Sequence, residues 1–271
     1  MADPVRIWSA KDCKKYLPLP KDTDHKYKRG VLGCLTGSNQ YPGAALLTTS
    51  SAQATGIGMV RYIGPRGVRR EVILNRPEVV IERGKVDALL MGSGISDSRG
   101  LMNLYRRLQL SRVNRLRAPK VLDAGALYLV KNINAPTIIT PHVGELAKLL
   151  NINSELIASD PNKYAKLAAE EFHVTVLLKG HESVVANVDR LIKLPAATSW
   201  LASAGTGDVL AGILGALISI NKNEVNDQNL IEIGATASFI HSQAASITSN
   251  GPINLNEMIR NISKVVTQLT I

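Results

Sequence analysis

The sequence predicts an α/β fold in which a mostly parallel central sheet carries helices on both faces. Three observations predict it. Short continuous apolar runs recur along the first two thirds of the chain, each closes on a turn residue, and a stretch with helical spacing follows. Strands buried on both faces read as such unbroken runs rather than as alternating ones. No Ser/Gly-rich linker, composition shift or internal repeat divides the chain, so one domain over residues 1–271 is expected.

Residues 1–28 are polar and marked by Pro4, Pro18 and Pro20, and read as a short helix and connector packed on the domain. Residues 31–36 form a strand that stops at Gly37-Ser38, and Pro42 opens a helix running to about Thr55, since proline suits a first helical turn. Strands follow at 58–63 and 86–91, the second closing on Gly92-Ser93-Gly94 before a helix at 100–110. Then come a strand at 120–123, a short helix at 124–130, a strand at 137–140 that Pro141 stops, and helices at 144–150 and 161–172. A strand at 174–178 leads into Lys179-Gly180, and 183–186 pairs with 190–194 as a hairpin around 187–189. From Gly207 the pattern is mostly helical, at 209–219, 230–248 and 255–269.

Composition narrows the function. At 45% apolar, 20% charged and 4% aromatic, the chain is globular, and 32 Lys and Arg against 22 Asp and Glu give +10, which points to an anionic partner. Cys13 and Cys34 are too few for a disulfide framework or a thiolate zinc site, so a reducing, cytoplasmic compartment is expected. The first thirty residues lack the apolar core of a secretory signal. The longest strongly apolar run, 209–220, is twelve residues and too short to span a bilayer, so no membrane partner is expected. Basic residues cluster at 11–29, 61–70 and 106–120 without interleaved aromatic side chains, so nucleic acid is not the expected partner.

In a doubly wound sheet ligands sit beyond the carboxyl ends of the strands, which directs attention to the loops there. The strongest is Ala204-Gly205-Thr206-Gly207-Asp208, a glycine-rich turn opening directly into an apolar helix. Amides at such a helix start, with the aligned peptide dipoles, suit a transferring phosphoryl group. Asp208 reads either as a base for a substrate hydroxyl or as a carboxylate that stabilises the helix start. His142 reads as a ligand-binding or a capping residue, and Lys179 as a site lysine or an ordinary strand-end one. Neither G-x-x-x-x-G-K-[ST] nor a G-x-G-x-x-G after the first strand occurs. His142 and Glu145 stand three apart with no H-E-x-x-H, so a tight zinc site is not expected, whereas Glu145 suits a hydrated magnesium ion.

Taken in order, these segments resemble a known family. Gly205-Thr206-Gly207-Asp208 resembles the anion-hole motif of the ribokinase-like superfamily. Together with Gly37-Ser38, Tyr41-Pro42-Gly43-Ala44-Ala45, the Asp123 loop, Thr140-Pro141-His142-Val143-Gly144-Glu145 and Lys179-Gly180, the chain is similar to the ADP- or ATP-dependent NAD(P)H-hydrate dehydratases from about His25 onward. The resemblance implies removal of water from the S form of 6-hydroxy NADH or NADPH hydrate, by phosphorylation of the C6 hydroxyl and loss of phosphate. It implies Asp208 with the turn Gly205, Thr206 and Gly207 as the catalytic set. Substrate-binding positions carry over to Ala45, Gly94, His142 and Asp208. Nucleotide-binding positions carry over to Lys179, Gly180, His181, Glu182, Ser183 and Gly207. Glu145 is implied near magnesium through water, with ADP or ATP as co-substrate.

Three positions depart from the family pattern. The Gly-Pro-Gly-x-Gly loop reads Gly92-Ser93-Gly94-Ile95-Ser96, the second carboxylate of Asp-Ala-Asp is Gly125, and Val143 stands where proline is usual. Many bacterial relatives carry an additional epimerase domain, for which 271 residues leave no room, so a separate epimerase protein acting on the same metabolite is expected as a partner. A homo-oligomer is expected as well. The competing readings are a ribokinase-like kinase of a pyrimidine or thiazole alcohol, a non-enzymatic nucleotide sensor and a basic nucleic-acid-binding protein.

Overall fold

The computed structural model describes residues 6–82, 84–96 and 107–271, and the backbone of 101–106. Pro4 and the expected helix start at Gly100 lie outside the described residues. The strands are β1 (Arg6–Ile7), β2 (Val31–Leu35), β3 (Met59–Tyr62), β4 (Ala88–Met91), β5 (Lys120–Leu122), β6 (Thr137–Ile139), β7 (Thr175–Leu178), β8 (Val184–Ala186) and β9 (Leu191–Lys193). They form one sheet in the order β1-β9-β8-β7-β6-β5-β4-β2-β3. From β3 across to β7 all pairs are parallel, and β8 runs antiparallel to both of its neighbours.

The helices are α1 (Ala10–Cys13), α2 (Pro42–Ala54), α3 (Arg66–Asn75), α4 (Leu101–Asn114), α5 (Val143–Leu150), α6 (Ser154–Ser159), α7 (Pro161–Phe172), α8 (Thr206–Ile220), α9 (Leu230–Thr248) and α10 (Leu255–Thr270). The expected short helix after β5 is a 3-10 segment, Ala124–Asn132. Among the described residues no helix is long and apolar enough to cross a membrane.

Successive strand residues point to opposite faces, and both faces are buried. Leu32, Ala88, Leu90, Val121, Ile138 and Leu177 join α2, α8 and α9 in one core cluster. Leu35, Leu89, Met91, Leu122, Ile139 and Val176 join Leu110, Leu146 and Ala165 of the other helices in a second. Burial on both sides explains why the strands read as unbroken apolar runs. Each such side chain contributes about 1.5–3 kcal/mol relative to exposure.

The helix and connector expected over residues 1–28 are only part of what is found there. Arg6–Ile7 forms a strand parallel to β9, and Trp8, Cys13 and Tyr16 behind it are buried. Two exposed residues carry no periodicity by which the strand could be read. Helix α8 starts at Thr206, three residues before the expected 209, because the glycine turn itself winds into the first turn. The sheet ends are short or covered. At the β3 end, Val80 N–H donates to the Val60 carbonyl (3.0 Å) and the Val80 carbonyl accepts from Tyr62 N–H (2.9 Å).

Parallel order brings the loops after β2, β4, β5, β6 and β7 to one end of the sheet, where α8 also begins. A bridge between His142 and Lys179 ties the loops after β6 and β7 together there.

Candidate active site

Helix α8 starts from Gly205, whose φ of +92° is a left-handed backbone that glycine adopts without a Cβ penalty. A Cβ there would also lie 2.7 Å from Leu47 and Leu255. Thr206 locks the turn, its hydroxyl donating to the Leu201 and Ser203 carbonyls at 2.9 Å. The Thr206 carbonyl is held by Nε2 of buried His241 at 2.9 Å. Burial pushes the His241 imidazole down to about 4, and Lys179 acts in the same direction, so the ring is neutral and Nε2 carries the donated proton. Gly205 has no side chain to cap α8, so the first-turn amides of Thr206, Gly207 and Asp208 have no intrahelical acceptor.

Asp208 stands in that first turn beside Asp123 and Lys179. Burial, reinforced by the Asp123 charge and partly offset by Lys179, raises its carboxyl from the usual carboxylate range to about 7. Its carboxylate makes no hydrogen bond to a described residue. Asp123 is the opposite case. Its Oδ2 accepts from Ser93 Oγ at 2.8 Å, and its Oδ1 accepts from Thr140 Oγ1 at 2.8 Å and Lys179 Nζ at 3.0 Å. Lys179 also lies 3.9 Å from Glu145 Oε2. Burial disfavours the Lys179 charge, but Asp123, Glu145 and Asp208 together outweigh it and hold the ammonium above its ordinary range.

His142 caps helix α5. Its Nδ1 accepts from the Gly144 and Glu145 amides (3.1 and 3.3 Å), while Glu145 Oε2 accepts from the His142 N–H (2.9 Å), a reciprocal capping box. Of the two roles weighed for His142, the structure shows the capping one, and the exposed residue also lines the site cleft. Val143 takes the first helical position without disturbing the box.

The loops after β2 and β4 lie flat against each other. A side chain at Gly94 would run into Ala44 Cβ (2.4 Å) and the Tyr41 carbonyl (3.0 Å). Ala45 is fully buried under them, so its side chain supports the loop from below. At Gly125 a Cβ would lie 2.1 Å from the Ile95 carbonyl oxygen, which accounts for glycine where relatives carry a second carboxylate.

A cleft of about 500 Å³ runs from His142 and Lys179 past Gly207 to α9. Of the expected nucleotide-binding residues, Lys179, Gly180, His181, Ser183 and Gly207 line it, whereas Glu182 is exposed outside it. Ser183 Oγ closes the β7–β8 turn on Gly180, accepting from its amide (3.4 Å) and donating to its carbonyl (3.2 Å). The strand-following segment Leu194–Thr198 and the α9 residues Phe239, His241 and Gln243 also line the cleft, and motif reading missed them. The one available signal was His241, a lone imidazole inside an otherwise apolar helical stretch. Gly205, Asp208, Gly94 and Ala45 lie outside this cleft's lining.

Solved structures place the architecture in the ribokinase-like class. A ribokinase-like superfamily protein from Enterococcus faecalis superposes with a TM-score of 0.84 at 17% identity, covering 98% of this chain and 96% of that one. The ADP/ATP-dependent NAD(P)H-hydrate dehydratase of Bacillus subtilis, co-crystallised with ATP/Mg2+, superposes at 0.85 with 24% identity, covering 99% and 100%. The family model described as NAD(P)H-hydrate dehydratase matches residues 32–264, and the chain belongs to that family. The bifunctional NAD(P)H-hydrate repair enzyme of Mycobacterium leprae is 36% identical over 257 residues, which cover 90% of this chain and 51% of that protein. The chain thus spans about half the length of the curated relatives it matches.

Proposed function

We propose that residues 1–271 act as one dehydratase domain that converts the S form of NADH or NADPH hydrate back to the reduced dinucleotide, consuming ADP or ATP. The observation that carries this reading is a carboxylate, Asp208, with no hydrogen-bond partner among the described residues, set among helix-start amides without intrahelical acceptors beside half-buried Lys179, in a chain of this family.

Hydroxide is a poor leaving group at neutral pH, and phosphate is a far better one. Asp208 takes the proton of the C6 hydroxyl as that oxygen bonds to the terminal phosphorus, while the phosphoanhydride bond breaks and releases the shortened nucleotide. The amides of Thr206, Gly207 and Asp208 stabilise charge on the transferring group. The ring nitrogen's electron pair then expels phosphate from C6, and loss of a proton from C5 restores the C5–C6 double bond. The nucleotide lies in the 500 Å³ cleft, its phosphates towards Lys179 and Gly207 and its base against the apolar wall of Leu194 and Phe239. Gly180, His181, Glu182 and Ser183 shape the turn beside it, and Gly94 and His142 border the hydrate, with Ala45 supporting the Gly94 loop from beneath. Among the described residues no group of three His, Cys, Asp or Glu side chains converges on a point. Glu145 would hold a hydrated magnesium ion through water, and the ion would offset phosphate charge there.

The test is incubation of the purified protein with the S hydrate, magnesium and either ADP or ATP. Return of dihydronicotinamide absorbance is expected. No return with either nucleotide, or accumulation of a stable phosphorylated small alcohol, overturns the proposal.

A further inference from the structure

A second cleft, of about 560 Å³, shares His142 with the first and opens between α4, the 3-10 segment Ala124–Asn132 and α5. Its walls carry Arg107, Lys131 and Lys148, one from each element, with Tyr128 and Ile95 between them. The Arg107 guanidinium stacks on the Tyr128 ring, 4.4 Å from its centroid, and the Tyr128 hydroxyl donates to the Arg107 carbonyl at 3.2 Å. The stacking holds the long Arg107 side chain against the cleft wall. Among the described residues none of the three cations forms an ion pair. The one carboxylate in the cleft, Glu145, already accepts from the His142 amide and faces Lys179. His142 and Tyr128 are the remaining titratable groups among the described lining residues.

The first cleft differs sharply in charge. Its lysine, Lys179, is engaged by two carboxylates, and among the described residues neither Arg nor any second Lys lines it. Two anionic ligands have to be placed, and the three uncommitted cations lie in the second cleft.

We propose that this second cleft is a phosphate-binding subsite for the adenosine half of the dinucleotide, in which Arg107, Lys131 and Lys148 hold a phosphate monoester. This rests on the function proposed above, and it identifies NADPH hydrate, with its 2′-phosphate, as the preferred substrate. A dianionic monoester gathers three charged donors better than the singly charged phosphates of the pyrophosphate link do. The subsite shares His142 with the nucleotide cleft, so the two clefts adjoin at that residue.

Calorimetry with NADPH and NADH themselves tests the subsite without requiring turnover. The unmodified protein is expected to bind NADPH at least about tenfold more tightly than NADH, as charge-assisted contacts to one extra dianion would give. The double variant Lys131→Ala/Lys148→Ala, and Arg107→Ala separately, should abolish that preference while changing NADH affinity less than about threefold. Lys264→Ala, an exposed lysine on α10, should leave the preference intact. In turnover assays the same variants should raise KM for NADPH hydrate and leave KM for the adenine nucleotide unchanged. Equal binding of the two dinucleotides by the unmodified protein, no binding of either, or a preference that survives the substitutions overturns the subsite. An equal loss for both reassigns the cations to the pyrophosphate and overturns the 2′-phosphate assignment. Absence of any dehydratase turnover with NADPH preference intact overturns the function and leaves the subsite standing.

Discussion

Two carboxylates, buried Asp123 and half-buried Asp208, meet at the end of this sheet, and they have opposite surroundings. Asp123, after β5, has three donors on its two oxygens; Asp208, in the first turn of α8, has none among the described residues. A carboxylate whose lone pairs are taken by Ser93, Thr140 and Lys179 is a fixed part of the framework. One left unbonded, with burial pushing its carboxyl to about 7, is poised to gain and lose a proton near neutrality. Lys179 reaches both, so the framework carboxylate also sets the electrostatics of the reactive one.

The largest effect that can break this contrast is expected from Asp208→Asn. Turnover should fall by ~10²- to 10⁴-fold, the usual weight of general-base catalysis, with nucleotide affinity measured by calorimetry nearly unchanged. Near-normal turnover would return Asp208 to a helix-start role. Asp123→Asn should act on the fold first, lowering stability by about 1.5–3 kcal/mol in urea denaturation, because charge-assisted bonds to Lys179 and two hydroxyls are weakened together. An unchanged denaturation midpoint would show that Asp123 is not framework.

The pH profile sharpens the comparison further. The kcat/KM of the unmodified protein should rise with pH through about 7, since the base works only when ionised. In Asp123→Asn that limb should move to lower pH, because one cause that raises the Asp208 carboxyl is gone. The stability sign follows from the same shift. A carboxyl raised from 3.8 to about 7 in the folded state binds its proton more tightly there, so its contribution to stability is lost as pH rises across that window. Asp208→Asn should therefore be at least as stable as the unmodified protein above pH 7. The smallest effect belongs to Glu182→Ala. Its side chain is exposed outside the cleft, and KM for the adenine nucleotide should change by less than about twofold. A larger change would bring that side chain into the site.

Much of this was legible in the residues because the loops that carry chemistry also carry turn signals. Gly37, Gly92-Ser93-Gly94, Pro141-His142 and Gly205-Thr206-Gly207 each punctuate an apolar run, and each falls at the same end of the sheet. What was not legible had no such punctuation. Helix α3 buries only Val68 and Val72, one turn apart, within a basic stretch that reads as solvated surface. Helix α6 is six residues long, too short for periodicity to accumulate. The α9 wall of the nucleotide cleft reads as core because most of its neighbours are core, and a pocket lined by a buried helix face differs from core only through the residues opposite it. The second cleft was invisible for another reason: Arg107, Lys131 and Lys148 are 24 and 17 positions apart, and only the packing of three elements brings them together.

The way the sheet ends has a bearing on how copies of this molecule can meet. A strand row that finishes with bare amides and carbonyls invites a second molecule to continue it. Here the β3 side is already occupied by the Val80 backbone, and on the opposite side the described residues of the edge strand are two, Arg6 and Ile7, paired with β9. Among the described residues the β3 border therefore leaves no free run of backbone on which a neighbour could register. Strand addition there is disfavoured, so an assembly, or an inhibitor of one, on that side would have to act through side chains.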